Sequence, residues 1–195
     1  MAIKAIFSGF GGQGVLFGGQ VITYAAMDAG KEVTWIPSYG PEMRGGTANC
    51  TVIIADDEIG SPLVKNPPLA IALNLPSFDK YEELLAPGGT LIVNQSMVDR
   101  GAKRTDINVI LVPCNEIAEE LGDKKLMNMV AVGALLTALP EITIKDVEKA
   151  LEGHLPARHV PHDVVRAHRI HHRADGQERQ GAAHQRRRRR RDASC

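Results

Sequence analysis

Cysteine is scarce in this chain of 195 residues, and the three cysteines, Cys50, Cys114 and Cys195, lie far apart. The absence of a CxxC pair argues against a disulfide framework, a zinc knuckle or an iron–sulfur cluster held by the chain. We therefore predict no metal site, and we interpret Cys50 and Cys114 as small apolar residues in or beside strands.

A long uninterrupted apolar run is also missing. The longest one covers residues 126–139, is interrupted by Asn128 and ends at Pro140. It is too short to span a bilayer and predicts a helix buried in the core or in a subunit interface. The first residues enter a strand with no basic segment and apolar stretch before it, so we expect no signal peptide. These features predict a cytoplasmic protein without a membrane partner.

Charge is distributed unevenly, although the formal net charge is zero. Residues 1–159 hold 13 Lys and Arg against 19 Asp and Glu, and this acidic segment is the domain to explain. Residues 160–195 hold ten Arg, four acids and no Lys or Leu, which predicts a disordered Arg/His-rich tail. We favour a frameshift artefact, because GC-rich DNA read out of frame has this composition. A non-specific basic tail and a nucleic-acid-binding arm are the alternatives, and the acidic domain argues against nucleic acid.

Strands and helices alternate along residues 1–159, which predicts an α/β fold. The predicted strands are residues 3–8, 32–37, 47–55, 69–73, 90–94 and 108–113. The predicted helices are residues 15–29, 77–85, 115–121, 125–139 and 144–151, with N-caps at Ser77, Asn115 and Thr143. Nearly continuous apolar strands favour a three-layer α/β/α sandwich around a mostly parallel sheet. Because no helix fits between the second and third strands, we expect a mixed sheet.

A glycine loop separates the first strand from the first helix, in a Rossmann-like βα unit. It contains Gly9, Gly11, Gly12, Gln13 and Gly14. Such a loop lets the backbone approach an anion, to which N–H groups and the helix N-terminus offer partial positive charge. A dinucleotide site would need an acid at the end of the second strand, which reads Trp-Ile-Pro-Ser instead. We therefore favour anion or cofactor contact over NAD(P) or FAD, with tight packing without a ligand as the alternative.

A second loop follows the second strand and contains Tyr39, Glu42, Arg44, Gly45 and Gly46. It should leave the carboxyl edge of the sheet beside the glycine loop, so we expect the two loops to share one crevice. Arg44 would then donate two hydrogen bonds to a phosphate or carboxylate. The alternative is that Arg44 pairs with Glu42 and only holds the loop.

Residues 1–159 contain no recognisable paired carboxylates, Ser–His–Asp set or metal cluster, so catalytic residues are unknown from the sequence. Asn74, Asn94 and Asn128 stand near the ends of predicted elements. Asn in such positions is typical of turns and helix caps, and we predict these roles.

The two loop motifs resemble the gamma subunit of 2-oxoacid:ferredoxin oxidoreductases. The matching stretches are residues 9–15 and 37–50, with shorter ones at 71–77, 87–89 and 128–134, and the resemblance covers residues 1–159. The form of the second loop is similar to members that act on 2-oxoglutarate or branched-chain 2-oxoacids. The tail replaces the ordinary C-terminal segment of such proteins.

The resemblance implies a division of labour among subunits. Alpha and beta subunits, with a ferredoxin-like delta chain in some members, would hold thiamine diphosphate, Mg and iron–sulfur clusters, and this chain alone would hold no cofactor. A 2-oxoacid and CoA would become acyl-CoA and CO2, with ferredoxin as electron acceptor, and the chain would not turn over alone. Both loops would face a shared cleft near cofactor or CoA phosphates. A self-contained dinucleotide-dependent oxidoreductase is the alternative function, and a nucleic-acid-binding protein the third.

Overall fold

Six strands form one sheet at the centre of the fold, in the order β2-β3-β1-β4-β5-β6. They are β1 (Ala2–Phe10), β2 (Glu32–Tyr39), β3 (Thr47–Ala55), β4 (Leu69–Ala72), β5 (Thr90–Asn94) and β6 (Asn108–Val112). In this computed structural model, which describes residues 2–40 and 46–154, β1, β4, β5 and β6 pair in parallel. The third strand is antiparallel to both of its neighbours, β1 and β2. The predicted mixed sheet is confirmed, because β2 and β3 are joined as a hairpin.

Helices cover both faces of the sheet in the described residues. They are α1 (Val15–Asp28), α2 (Leu75–Leu84), α3 (Cys114–Glu120), α4 (Met127–Leu135) and α5 (Ile144–His154). Apolar residues of α1, α3, α4 and α5 form one core with one face of the sheet. Residues of α2, joined by Val98, form a second core on the opposite face. The predicted three-layer α/β/α architecture is therefore confirmed.

The apolar run at residues 126–139 forms a helical segment in three pieces. The helix α4 is flanked by the 3₁₀ turns Lys124–Leu126 and Leu136–Ala138. Its residues are buried from Asn128 onward and belong to the main core. Pro140 follows the second turn, where its missing N–H cannot continue a helix. None of the helices in the described part of the chain has the length and apolar character needed to cross a membrane.

Two of the predicted helix caps are wrong. Asn74, not Ser77, caps α2, because its Oδ1 accepts a hydrogen bond from the Ser77 backbone N–H at 3.0 Å. The Ser77 hydroxyl instead accepts a hydrogen bond from the Ser8 hydroxyl at 2.9 Å, and both side chains are buried. The helix α3 begins at Cys114, so Asn115 lies in its first turn. A buried hydrogen-bond partner thus decided the role of the Ser77 side chain.

The two cysteines of the described residues are buried and unpaired with one another. Cys50 lies on β3 and Cys114 opens α3. Burial raises the pKa of each thiol to about 12. Both therefore behave as small apolar core residues, as predicted.

Candidate glycine-loop site

The glycine loop lies at the carboxyl edge of the sheet, between the end of β1 and the start of α1. Gly12 (φ 100°) and Gly14 (φ 71°) have positive φ angles, which L-residues with side chains adopt only with strain. Gly14 is the N-cap residue of α1, and no side chain caps this helix. The loop therefore needs glycine at these two positions for its backbone conformation.

Other glycines make room for the protein's own side chains. A Cβ at Gly9 would lie 2.6 Å from Gln13 Oε1 and 2.8 Å from Val15 Cγ2. A Cβ at Gly14 would overlap the side-chain amide of Asn128. By contrast, no described residue comes within 4 Å of the Cβ position at Gly12. Of these three glycines, Gly12 is the one with open space beside it.

The side chain of Gln13 is turned toward the fold. Its Oε1 accepts hydrogen bonds from the Phe10 backbone N–H at 2.6 Å and from Asn74 Nδ2 at 3.2 Å. Its Nε2 donates to the Leu73 carbonyl at 3.4 Å. Gln13 therefore ties the loop to the segment that follows β4.

Asn128, in the first turn of α4, reaches the other end of the loop. Its Nδ2 donates to the Gly14 carbonyl at 3.1 Å, and its Oδ1 accepts from the Met129 N–H at 2.9 Å. One turn further along α4, Val132 lies 3.2 Å from the position of a Cβ on Gly18. The small residues of α1 thus allow α4 to pack closely against it.

The described ends of the second loop lie beside the first loop. The Gly11 N–H donates to the Gly46 carbonyl at 2.9 Å, and the Gly40 N–H donates to the Thr47 carbonyl at 2.7 Å, closing the hairpin. Tyr39 ends β2 and is 58% exposed. The described ends of the two loops thus lie at the same edge of the sheet. Glu42, Arg44 and Gly45 lie outside the described residues, and the role of Arg44 stays a prediction.

Asn94 ends β5 in the same way that Asn74 follows β4. It is fully buried, and its Oδ1 accepts from the N–H groups of Cys114 at 3.2 Å and Ser96 at 3.3 Å. Its Nδ2 donates to Asn115 Oδ1 at 3.1 Å. The predicted cap roles of Asn74 and Asn94 are confirmed, whereas that of Asn128 is wrong, because Leu126 is the N-cap residue of α4. Their bonds to distant residues were missed, although Asn at the end of two successive apolar strands is a visible signal.

The sheet order argues against a dinucleotide site. In a Rossmann unit the second strand lies in parallel beside the first, so its terminal acid reaches the ribose. Here β3 separates β2 from β1, which places the end of β2 two strand spacings away, roughly 10 Å. The strand also ends at Tyr39 without an acid. Among the described residues, no three His, Cys, Asp or Glu side chains are grouped as metal ligands.

Comparison with known proteins identifies the family. A model of the family described as pyruvate ferredoxin/flavodoxin oxidoreductase matches residues 4–168. The chain belongs to this family. The match continues past residue 159, where the composition changes, and the family resemblance drawn from the two loops is confirmed.

Individual relatives are subunits of oxidoreductases whose names refer to different substrates. The ketoisovalerate oxidoreductase subunit VorA of Methanothermobacter marburgensis is 36% identical over 148 residues, which are 74% of this chain but 31% of that protein. The 2-oxoglutarate synthase subunit KorC of the same organism is 35% identical over 156 residues, 76% of this chain and 84% of that protein. The chain therefore spans less than a third of the first relative and most of the second.

Solved structures of this family share the fold. The gamma subunit of a keto/oxoacid ferredoxin oxidoreductase from Geobacter sulfurreducens matches with a TM-score of 0.75 and 26% identity, over 88% of this chain and 94% of that one. A 2-oxoglutarate:ferredoxin oxidoreductase from Magnetococcus marinus, solved with 2-oxoglutarate, coenzyme A and succinyl-CoA bound, matches with a TM-score of 0.75 and 20% identity. That match covers 87% of this chain and 30% of that one.

Proposed function

We propose that this chain is the gamma subunit of a multi-subunit, thiamine-diphosphate-dependent 2-oxoacid:ferredoxin oxidoreductase. The complex converts a 2-oxoacid and CoA to acyl-CoA and CO2, and ferredoxin accepts the electrons. The observation that carries the proposal is the match over 84% of the KorC subunit, a separate chain of similar extent. The same relative favours 2-oxoglutarate as the substrate. We place the complex in the cytoplasm.

The cofactors are assigned to partner subunits. The described residues group no set of metal-ligating side chains, and the two buried thiols are protonated at neutral pH. We propose, as the family resemblance implies, that thiamine diphosphate, Mg and the iron–sulfur clusters belong to the alpha and beta subunits and, where present, a ferredoxin-like delta subunit. CoA is a co-substrate, as its presence in the Magnetococcus marinus enzyme supports.

The contribution of this chain is the pair of adjacent loops. The residues proposed to face the shared cleft are Gly9, Gly11, Gly12 and Gly14 of the first loop and Tyr39, Glu42, Arg44, Gly45 and Gly46 of the second. The side chain of Gln13, predicted as part of this set, is bonded inside the fold instead. The bond from the Gly11 N–H to the Gly46 carbonyl supports a common cleft. The open space at Gly12 supports contact with a ligand through the loop backbone.

Reconstitution tests the function. The chain is purified alone and with its alpha and beta partners, and acyl-CoA formation is measured with a viologen acceptor for 2-oxoglutarate, 2-oxoisovalerate and pyruvate. We expect activity only in the complete complex, and the highest kcat/KM for 2-oxoglutarate. Turnover by the lone chain, or full activity of a complex without it, would contradict the proposal.

The tail at residues 160–195 lies outside the described residues, and its origin stays a proposal. We propose a frameshift, because its composition differs abruptly from that of the domain before it. Resequencing the gene tests this directly, since an uninterrupted native frame through the tail would exclude a frameshift. A nucleic-acid-binding arm would instead give steeply salt-dependent DNA binding that disappears when residues 160–195 are deleted.

A further inference from the structure

One face of the β2–β3 hairpin lies largely open in the part of the chain that the structure describes. On this side of the sheet α2 packs on β1, β4 and β5, whereas α1 covers β2 and β3 from the opposite side. We call the open surface the hairpin face. We propose that the hairpin face is the docking surface for the alpha subunit of the complex. This inference rests on the proposed function and assigns a partner contact to named residues of this chain.

The register of the hairpin defines which side chains form this face. Val33 and Trp35 of β2 pack against the main core, so the alternate residues point to the other side of the sheet. The cross-strand pairs on that side are Thr34 with Ile53, Ile36 with Thr51, and Ser38 with Asn49. Ile36 is 40% exposed and Ser38 is exposed, whereas Ile53 is buried and the other three are half-buried. The face is therefore accessible along the second half of β2.

The chemistry of the hairpin face suits a protein partner. All six side chains are uncharged, although 24% of the residues in the chain are charged. The buried centres of protein–protein interfaces are depleted of charged residues in the same way. The hydroxyl groups of Thr34, Ser38 and Thr51 offer hydrogen bonds, and Ile36 offers apolar area. A partner can therefore cover this face without burying an unpaired charge.

The face of the hairpin is better suited to docking than the free edge of β2. The Gly40 N–H bonds to the Thr47 carbonyl, so every second residue back from Gly40 bonds to β3 in this antiparallel pair. Pro37 lies between two of those residues, which places its nitrogen at the free edge, where it offers no N–H. A strand added there by a partner would lack a hydrogen bond at this position.

The size of the hairpin face argues against a second copy of this chain as the occupant. Two strands and the eight residues of β2 give a surface of roughly 10 by 27 Å, or about 270 Å². A stable complex buries about 800 Å² on each partner, so a copy bound only here would be held weakly. A stable partner must extend beyond the hairpin. At the end of β2 the face meets Tyr39 and the second loop, which the proposed function assigns to the shared cleft.

The lengths of the relatives favour the alpha subunit as that partner. This chain matches 84% of the KorC subunit but 31% of VorA, so the same domain occurs as a separate chain and within a chain about three times as long. Two domains of one polypeptide stay at a high effective concentration, which favours a shared interface. We take the alpha subunit to be the chain that corresponds to the rest of VorA.

The first test measures binding of the full chain to a preassembled alpha–beta complex by analytical ultracentrifugation. Ile36→Arg and Ser38→Arg each place a charge on the hairpin face. The matched control is Leu111→Arg, because Leu111 is 47% exposed on the other edge strand and lies opposite Val93, on the same side of the sheet. We expect each face variant to raise the Kd about 100-fold, since the new charge would be buried without a partner, and the control to change it less than about threefold. The thermal midpoints should stay close to that of the wild type, because all three positions are exposed.

A cross-linking experiment identifies the occupant. Ile36→benzoylphenylalanine in the complete complex should cross-link to the alpha subunit on irradiation, as identified by mass spectrometry, and the same replacement at Leu111 should not. A cross-link from position 36 to the beta subunit or to a second copy of this chain would overturn the inference. Face variants that bind as tightly as the wild type, or no more weakly than the control, would also overturn it while leaving the proposed function intact. A wild-type chain that neither binds the alpha–beta complex nor supports acyl-CoA formation would overturn the proposed function and this inference together.

Discussion

Replacing Glu82 by Gln should destabilise the protein strongly at neutral pH and weakly in acid. Glu82 lies on α2 and is 3% exposed. One carboxylate oxygen accepts from Arg100 Nη2 at 2.8 Å, and the other accepts from the backbone N–H groups of Arg104, at 3.1 Å, and Lys103. The carboxylate therefore attaches the segment that precedes β6 to the second helix.

The expected magnitude follows from these contacts. A hydrogen bond to a charged group contributes about 1.5–3 kcal/mol, against about 0.5–1.5 kcal/mol for a neutral one. Gln keeps the shape and one oxygen for the backbone N–H groups, but its NH2 group would face the Arg100 guanidinium. Arg100 keeps its second partner, Asp79. We therefore expect the free energy of unfolding to fall by about 2 kcal/mol, which lowers the thermal midpoint by about 4–8 °C.

The pH dependence of the free energy of unfolding shows whether the Glu82 carboxylate causes the loss of stability. Burial alone would raise the pKa of Glu82, but the hydrogen bonds from Arg100, Arg104 and Lys103 together outweigh it and hold the pKa below 4.5. A lowered pKa in the folded state stabilises the fold above the ordinary value of 4.5, and this stabilisation is lost as the pH falls through the folded-state pKa. The difference in the free energy of unfolding between wild type and Glu82→Gln should therefore be largest at pH 7 and should shrink below pH 4.5.

Urea unfolding at a series of pH values measures this difference, with the fluorescence of Trp35, the single Trp, as the signal. The matched control is Glu83→Gln, because Glu83 is the next residue and its side chain is exposed. The control should change the free energy of unfolding by less than about 0.5 kcal/mol. An equal loss in both variants, or a loss in Glu82→Gln that does not vary with pH, would refute the reasoning.

Two further predictions concern the buried core. In a Cys195→Ser variant, Cys50 and Cys114 of the folded protein should not react with iodoacetamide at pH 8, because burial raises the pKa of both thiols to about 12. Labelling counted by mass spectrometry before and after unfolding checks this, and rapid labelling of the folded protein would contradict it. Gly19→Ala should lower the free energy of unfolding by about 1–3 kcal/mol, because the new Cβ would overlap the Cys50 sulfur. Gly60→Ala, at an open position, is its control in thermal unfolding, and equal midpoints for the two variants would disprove the overlap.

The sequence alone determined those features that depend on neighbours along the chain. Gly30 follows the C-cap residue of α1, with a φ of 77° and an N–H that donates to the Met27 carbonyl at 3.0 Å. Thr143 caps α5, because its hydroxyl and the Asp146 carboxylate exchange hydrogen bonds with each other's backbone N–H groups. These interactions join residues three apart, so a local pattern is sufficient to find them. Local patterns also predicted the alternating strands and helices, and therefore the α/β class.

Only the tertiary structure decided what the glycine loop contacts. The partners Asn74 and Asn128 lie 61 and 114 residues from the groups that they bind, Gln13 and Gly14, and no local pattern joins them. The same holds for the place of β3 between β1 and β2, which removes the geometry of a dinucleotide site. The order of the strands depends on which apolar faces are buried together across the whole sheet. The contacts of the loop depend on the need of each buried amide for a hydrogen-bond partner. Such choices are settled by packing between distant segments, and so they are visible only once the chain is folded.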